Sequence, residues 1–444
     1  MWKVAFVAIL GTLLAQLDAT TINVSLAQLA REFRVDLSVV QWVTTGYLLS
    51  LTLVLPLNGW LVERVGARTL YIFCFASFVA ASALCAVAWS APSLIAFRLL
   101  QGMSGGLLAP MAQMMIARAA GDQMTRVVGI VALPVIFAPV LGPVIAGFIL
   151  QHGSWRLLFL VNLPVAALAF ALALIWLPED EPSERRRPLD WIGLALLSPG
   201  LVLVLIGLGD LGRTAGWAML AGACVLLAMF VWWAADRGSR ALVDLRLFRR
   251  RGFGNAAMTQ FLSNGVLVGG QTLIPIYLID GIGRSPTEMG WLLAPLGLGM
   301  AITYPLLGRS VGRWGVRAVS TAGALLAFGG TLLLLHLAVH GFEPSVLVLA
   351  LFIRGMGQSA VGLPAMSAAY SAVARDELPM ASTSINIAQR LGGPTLTAIC
   401  IVFLDWRIGA GGGADGFGAY GWAFLLLSAM TALTVVAALR LPRR

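Results

Sequence analysis

Gly59-Trp60-Leu61-Val62-Glu63-Arg64-Val65-Gly66-Ala67-Arg68 returns 249 residues later as Gly308-Arg309-Ser310-Val311-Gly312-Arg313-Trp314-Gly315-Val316-Arg317. Gly, Val, Arg, Gly and Arg recur at offsets 0, 3, 5, 7 and 9. Each loop lies between long apolar runs. A second echo sets Gln101-Gly102-Met103 against Arg354-Gly355-Met356, 253 residues apart, and Pro110 and Pro364 follow the two glycines. Two matched segments at nearly one offset describe a chain built of two parallel halves. Parallel halves are a transporter architecture, with substrate bound near the midplane between them.

The composition says what surrounds those halves. Of 444 residues, 59% are hydrophobic and 11% are charged, where a soluble domain is roughly half apolar and about a quarter charged. The apolar residues come in runs of the length, roughly 20 residues, that crosses about 30 Å of hydrocarbon as a helix. Fourteen runs are expected, the first at 4–26, the seventh and eighth at 190–209 and 215–235, the last at 419–439. The expected fold is therefore an all-α membrane protein. Six-helix bundles over 1–178 and 252–444 would flank a linker, 179–251, carrying two inserted transmembrane helices.

Basic residues orient these spans. Twenty-one of the thirty Lys and Arg residues fall on the side that holds the N-terminus, and six fall in the opposite loops. By the positive-inside rule both termini are cytoplasmic. The net charge of +10 thus reads as membrane orientation and not as a nucleic-acid surface. Cys74, Cys85, Cys224 and Cys400 are scattered inside apolar runs, with neither a disulfide framework nor zinc spacing. The first run continues past Gln16 and Asp18 with no convincing cleavage site, so it is read as a retained helix.

The chain resembles the major facilitator superfamily, and within it the fourteen-helix drug:proton antiporters. Leu17-Asp18-Ala19-Thr20-Thr21-Ile22-Asn23-Val24 looks like the first-helix motif of that family, and Gly59 to Arg68 like the superfamily loop motif. Arg98-Leu99-Leu100-Gln101-Gly102 is similar to the fourth-helix motif, and Ala138 to Gly147, with Gly142-Pro143 inside it, to the fifth-helix antiporter motif. Asn162-Leu163-Pro164, Leu189-Asp190-Trp191-Ile192-Gly193 and Asp244-Leu245-Arg246-Leu247-Phe248 are further family-like phrases. Glu63 stands where the family more often has Asp, and Ala138 and Ala146 where it often has Gly. The resemblance implies proton-coupled export of small amphipathic compounds by a multidrug efflux protein of the inner membrane, acting as a monomer.

A few residues could carry that work. Asp18 is the only carboxylate placed well inside a span. Insertion scales put a charged residue at mid-membrane at a cost of roughly 2.5–3.5 kcal/mol, so such residues are usually functional. Loading and releasing a proton is one role; a structural acid bonded to neighbouring helices is the other. Arg98 lies within about one helical turn of the same depth, so it could pair with Asp18, or it could anchor packing through carbonyls. Arg354 and Arg390 sit near mid-membrane and should face protein or water. If they line the cavity, neutral, zwitterionic or anionic substrates are favoured over cations.

Gln260, Asn264 and Gln271 share one face of the ninth span, and Asn386 lies in the thirteenth. They are expected to line the cavity or to tie helices together. Gly142, Pro143 and Gly147 suit a kinked, closely packed gating helix. Gly59, Glu63, Arg64, Gly66 and Arg68 are expected to latch helix ends on the cytoplasmic side. His336 and His340 have a metal-like i, i+4 spacing but no third ligand, so no metal or other cofactor is expected.

Exporters of a metabolite or siderophore could use the same chassis, since fold does not fix substrate. A polytopic enzyme has no support: HExxH, paired metal-binding aspartates and a P-loop are all missing from the sequence.

Overall fold

The computed structural model describes residues 1–444 except 132, 181–187, 212, 410–416 and 444. The side chains of 122, 133, 135–137, 139, 140, 143, 239, 286 and 287 also fall outside the described set. In chain order the helices are α1 (Trp2–Phe33), α2 (Leu37–Val54), α3 (Asn58–Val65), α4 (Ala67–Ala86), α5 (Ala91–Ala120) and α6 (Met124–Val131). Then follow α7 (Leu133–His152), α8 (Arg156–Leu160), α9 (Asn162–Trp176), α10 (Trp191–Gly209), α11 (Thr214–Arg237) and α12 (Arg246–Arg249). The chain ends with α13 (Arg251–Ile276), α14 (Pro286–His340), α15 (Pro344–Ser371), α16 (Leu378–Gly409) and α17 (Gly418–Leu439). No strand occurs among the described residues. In lipid a spanning segment must satisfy its own backbone, and a helix does so internally.

Helix ends follow local chemistry. Ser90 and Ser93 form a reciprocal capping box at the start of α5, as Ser285 and Glu288 do for α14. Asp190 caps α10 by accepting from the Gly193 backbone N–H at 2.9 Å. The same carboxylate accepts from Trp233 Nε1 at 3.0 Å and the Leu242 backbone N–H at 3.1 Å, closing α10 and α11 into a pair.

The repeat seen in the sequence reappears as repeated geometry. Gly66 has φ 98° and ψ 154°, and Gly315 has φ 80° and ψ 163°, a conformation that an L side chain rarely adopts. Each glycine ends a helical segment and turns the chain into the next. Two residues on, Arg68 Nη2 donates to the Leu174 carbonyl at 2.7 Å, and Arg317 Nε donates to the Leu441 carbonyl at 2.6 Å. The Leu174 carbonyl lies near the end of α9 and the Leu441 carbonyl two residues past the end of α17, the last helices of their groups. The glycines of the second echo match as well. A Cβ on Gly102 would meet the Tyr47 carbonyl of α2, and a Cβ on Gly355 would meet the Leu296 carbonyl of α14.

Twelve helices among the described residues are long and apolar enough to cross a membrane, against the fourteen expected. Two features bear on the count. The 55-residue α14 counts once, although it would be roughly 80 Å long if straight and is broken at Gly315. α7 belongs to a stretch that is described only in part. Large apolar side chains such as Phe73, Ile175, Trp232 and Trp291 point outward, as lipid rather than water would allow. α1–α9 pack on one another, as do α13–α17, while α10 bridges α2 and α16. α11 packs mainly on α10 and is the least buried of the twelve apolar helices.

Candidate functional site: a sealed ion pair

Five helices converge on Asp18. Its side chain is 1% exposed and that of Arg98 0%, so neither ion meets lipid or solvent. Arg98 Nη1 donates to Asp18 Oδ2 at 2.5 Å and to Gln101 Oε1 at 2.8 Å. Gln101 Nε2 donates to Asp18 Oδ1 at 3.1 Å, and Asn162 Nδ2 donates to the same oxygen at 2.7 Å. Behind this ring, Gln101 Nε2 also reaches Ser82 Oγ, and Ser82 donates to the Phe159 carbonyl. Arg98 Nε donates to the Val43 carbonyl at 3.2 Å. The Tyr47 ring lies 4.0 Å from the guanidinium carbon, a cation–π contact in a dry setting.

The arrangement has a chemical consequence. Asp18 accepts from three side-chain donors, an arrangement that suits a carboxylate. A proton on Oδ2 would remove the ion pair and set an O–H against the Arg98 guanidinium, which has no acceptor. Protonation here cannot leave the surroundings unchanged. The pair permitted by sequence depth does form, and Gln101 and Asn162 complete it. Neither was assigned a role from sequence, although Asn162 opens an otherwise apolar helix and stands out there.

The other predicted residues take varied places. Arg354, 1% exposed, donates from Nη2 to the Val266 carbonyl at 2.6 Å, and its Nη1 finds no acceptor among the described residues. Arg390 is half-buried in a cleft where α2, α10 and α16 meet. Gln260 Nε2 donates to the Gly362 carbonyl and Asn264 Nδ2 to the Gln389 carbonyl, so both tie helices together in this conformation. Gln271 is exposed.

Gly142 lies against Thr20 of α1 with no room for a Cβ, whereas Gly147 faces open space. The Pro143 side chain lies outside the described residues. Within the loop motif, Arg68 holds the end of α9 through the Leu174 carbonyl, and Gly66 lies against the Asp180 side chain. Asp180 accepts from the Arg68 and Thr69 backbone N–H groups at 2.7 and 2.9 Å, a carboxylate at the start of α4 that sequence reasoning missed. Glu63 is buried and Arg64 is exposed.

Gly59 does something different: it packs against Pro379, Met380 and Thr383 of α16. That contact belongs to a set joining α1–α9 to α13–α17. Asn386 Nδ2 donates to Gln113 Oε1 at 3.0 Å, and the Tyr370 hydroxyl donates to the same oxygen at 3.3 Å. Ser382 Oγ donates to the Pro110 carbonyl at 2.7 Å, and Asn58 Nδ2 to Thr383 Oγ1 at 3.4 Å. All of these lie toward the end of the molecule where the Arg440 carbonyl accepts from Asn255 and where Lys3 sits over Trp176. The two groups are closed together at the end that carries both termini.

Comparison with known proteins bears directly on this architecture. The family model described as Major Facilitator Superfamily matches residues 8–394. The chain belongs to the Major Facilitator Superfamily. It is thus a membrane transporter of small molecules and not an enzyme. Among curated superfamily relatives, it is 34% identical to the multidrug resistance protein B homolog of Mycobacterium tuberculosis (strain ATCC 25618 / H37Rv) over 413 residues, 91% of this chain and 76% of that protein. It is 29% identical to the putative multidrug resistance protein MdtD of Cronobacter sakazakii over 457 residues, 100% of this chain and 94% of that one. Its fold is similar to that of the human organic anion transporter MFSD10 (TETRAN), with TM-score 0.68, 18% identity and coverage of 98% of this chain and 99% of that one. The proton:xylose symporter XylE gives TM-score 0.66 at 16% identity, covering 98% of this chain and 94% of that chain.

Proposed function

We propose that this superfamily member is a proton-coupled antiporter that exports small amphipathic compounds by alternating access. The observation that carries the proposal is the sealed Asp18–Arg98 pair, an ion pair in the membrane whose geometry a single proton would undo. The multidrug resistance names of its relatives support the substrate range. The break of α14 at Gly315, matching the turn at Gly66, supports reading α14 as two spans. With α6–α7 as another, the total becomes fourteen, arranged as bundles 1–178 and 252–444 around an inserted pair in 179–251. The bias of arginines supports reading both termini as cytoplasmic, in a cell with an inner membrane. On that orientation the closed end faces inward, and substrate would leave outward. Gln260, Asn264, Gln271, Asn386, Arg354 and Arg390 are assigned to the cavity that forms as the helix ties exchange, and Gly142 to the packing on which that motion turns. The working unit is a monomer.

The test is resistance. An efflux-deficient host expressing the protein should tolerate several amphipathic compounds, and Asp18→Asn should return it to the sensitivity of the empty host at equal expression. Undiminished resistance with Asp18→Asn would remove the proton assignment.

A further inference from the structure

We propose that the basic strap joining α11 to α13 docks an anionic phospholipid, whose phosphate is held by Arg237, Arg246 and Arg249. The inference goes beyond the export reading and does not depend on proton coupling.

Six arginines and two aspartates lie between residues 236 and 251. The strap sorts its residues by side. Ala241, Leu242, Val243 and Leu247 are buried, and the Leu242 backbone N–H is held by the Asp190 carboxylate, so the backbone is pinned down. All six arginines are exposed. Arg250 is already neutralised, donating from both terminal nitrogens to the Glu377 carboxylate at 2.6 and 2.8 Å. Arg240 shares a small cavity with the acids Glu63 and Asp190. Arg237, Arg246, Arg249 and Arg251 make no ion pair among the described residues, and neither does Asp236. Asp244 accepts from the Arg246 backbone N–H at 3.0 Å. Gly238 ends α11 at φ 56°, and a Cβ there would run into the Arg246 guanidinium. Arg246 therefore lies back over the residue that follows Arg237. The Arg237 guanidinium carbon is 4.0 Å from the Trp233 ring, a stacking that covers its face and leaves its N–H edge for a ligand. Arg249 stands three residues from Arg246 and shares its face of α12, while Leu247 turns inward.

Guanidiniums gathered on a fixed backbone call for a counter-ion, and the flanking side chains say which kind. Trp232, 77% exposed, stands five residues before Arg237, and Met258, 55% exposed, seven residues after Arg251. At 1.5 Å per residue these lie about 8 and 10 Å further into the helices. Outward apolar side chains so close to outward cations put the strap at the level of the lipid headgroups. A phosphodiester offers two oxygens that match a guanidinium edge, and basic clusters just outside a spanning helix attract anionic lipid. The strap lies at the end that carries both termini, since Asn255, one turn into α13, donates to the Arg440 carbonyl at 2.7 Å. The fold also leaves work for such an occupant. α11 packs mainly on α10 and is the least buried of the apolar helices. A phosphate bridging Arg237 on α11 to Arg246 and Arg249 on α12 would fasten the inserted pair to the second group of helices.

The experiment is native mass spectrometry of the full-length protein, released from micelles holding equal amounts of dioleoylphosphatidylglycerol and dioleoylphosphatidylcholine. The native protein should retain the glycerol lipid in preference to the choline lipid. A basic residue at a membrane surface is worth about fivefold in binding, so Arg237→Gln, Arg246→Gln and Arg249→Gln together should cut that preference by about tenfold or more. Lysine at the same three positions should keep most of it. A matched triple, Arg309→Gln with Arg313→Gln and Arg440→Gln, removes the same charge from exposed positions at the same end and should keep the preference intact. Equal loss in the two glutamine triples overturns the proposal, because diffuse surface charge would then suffice. So does equal retention of the two lipids by the native protein. Displacement of the retained lipid by a large excess of inorganic phosphate overturns it as well, since the occupant would then be a free anion. None of these results bears on Asp18, and a failed Asp18→Asn resistance test leaves the lipid result standing.

Discussion

Asp18 accepts hydrogen bonds from Arg98, Gln101 and Asn162 in a space closed to water. Removing one member of a buried ion pair strands the other, at a cost of roughly 3–5 kcal/mol, while removing both charges costs much less. Asp18→Asn and Arg98→Gln should therefore each lower the thermal unfolding temperature of the purified protein, and the double variant should be less damaged than the sum. A coupling of about 1–3 kcal/mol is expected for residues in direct contact, and additive losses in the cycle would show that the pair does not act as a unit. The sequence revealed Asp18 and Arg98 because charges are scarce in apolar runs and each is conspicuous there. Gln101 and Asn162 were harder to find, since an uncharged polar residue is affordable in a helix and its partner is set by packing between distant segments. Arg354 and Arg390 look alike in sequence. One is sealed on a carbonyl and the other borders a cleft, a difference that only the neighbouring helices decide.

At the scale of helices, the repeat was legible because it rests on backbone demands. Gly66 and Gly315 must adopt positive φ, and Gly102 and Gly355 must admit a neighbouring carbonyl, so the same residue type recurs wherever the same turn or contact recurs. The bonds from Arg68 and Arg317 to carbonyls near the end of α9 and just past α17 were not legible, because a carbonyl has no sequence signature. Nor could spacing alone separate the two glycines of the fifth-helix motif. Gly142 has no room for a Cβ beside Thr20, and Gly147 has open space. Gly142→Ala should force α1 and α7 apart and cost roughly 1–3 kcal/mol by overpacking. Gly147→Ala should cost nothing, and helix propensity alone would favour it by up to about 1 kcal/mol. Thermal unfolding of the two variants decides the matter, and the reverse ranking would mean that the close helix contact lies elsewhere in α7.

For the molecule as a whole, hydropathy and arginine placement gave the membrane class, but no pattern in the chain announces which end of the two groups is shut. That depends on contacts between residues more than 250 positions apart, such as Gln113 with Asn386 and Tyr370. Alternating access requires these contacts to part once in every cycle. Gly59 and Thr383 offer a way to prevent it: a Cβ built on Gly59 would lie 3.2 Å from Thr383 Oγ1, which sets the two Cβ atoms near the spacing of about 3.5–4.5 Å that a disulfide needs. In a background lacking Cys74, Cys85, Cys224 and Cys400, the pair Gly59→Cys and Thr383→Cys should cross-link on oxidation and abolish export, and reduction should restore it. Each single cysteine should export before and after oxidation, which separates locking from simple damage to the packing at Gly59. If the fully cross-linked protein continued to export at its reduced rate, this end would not open during transport. The route for substrate would then have to run through another part of the molecule.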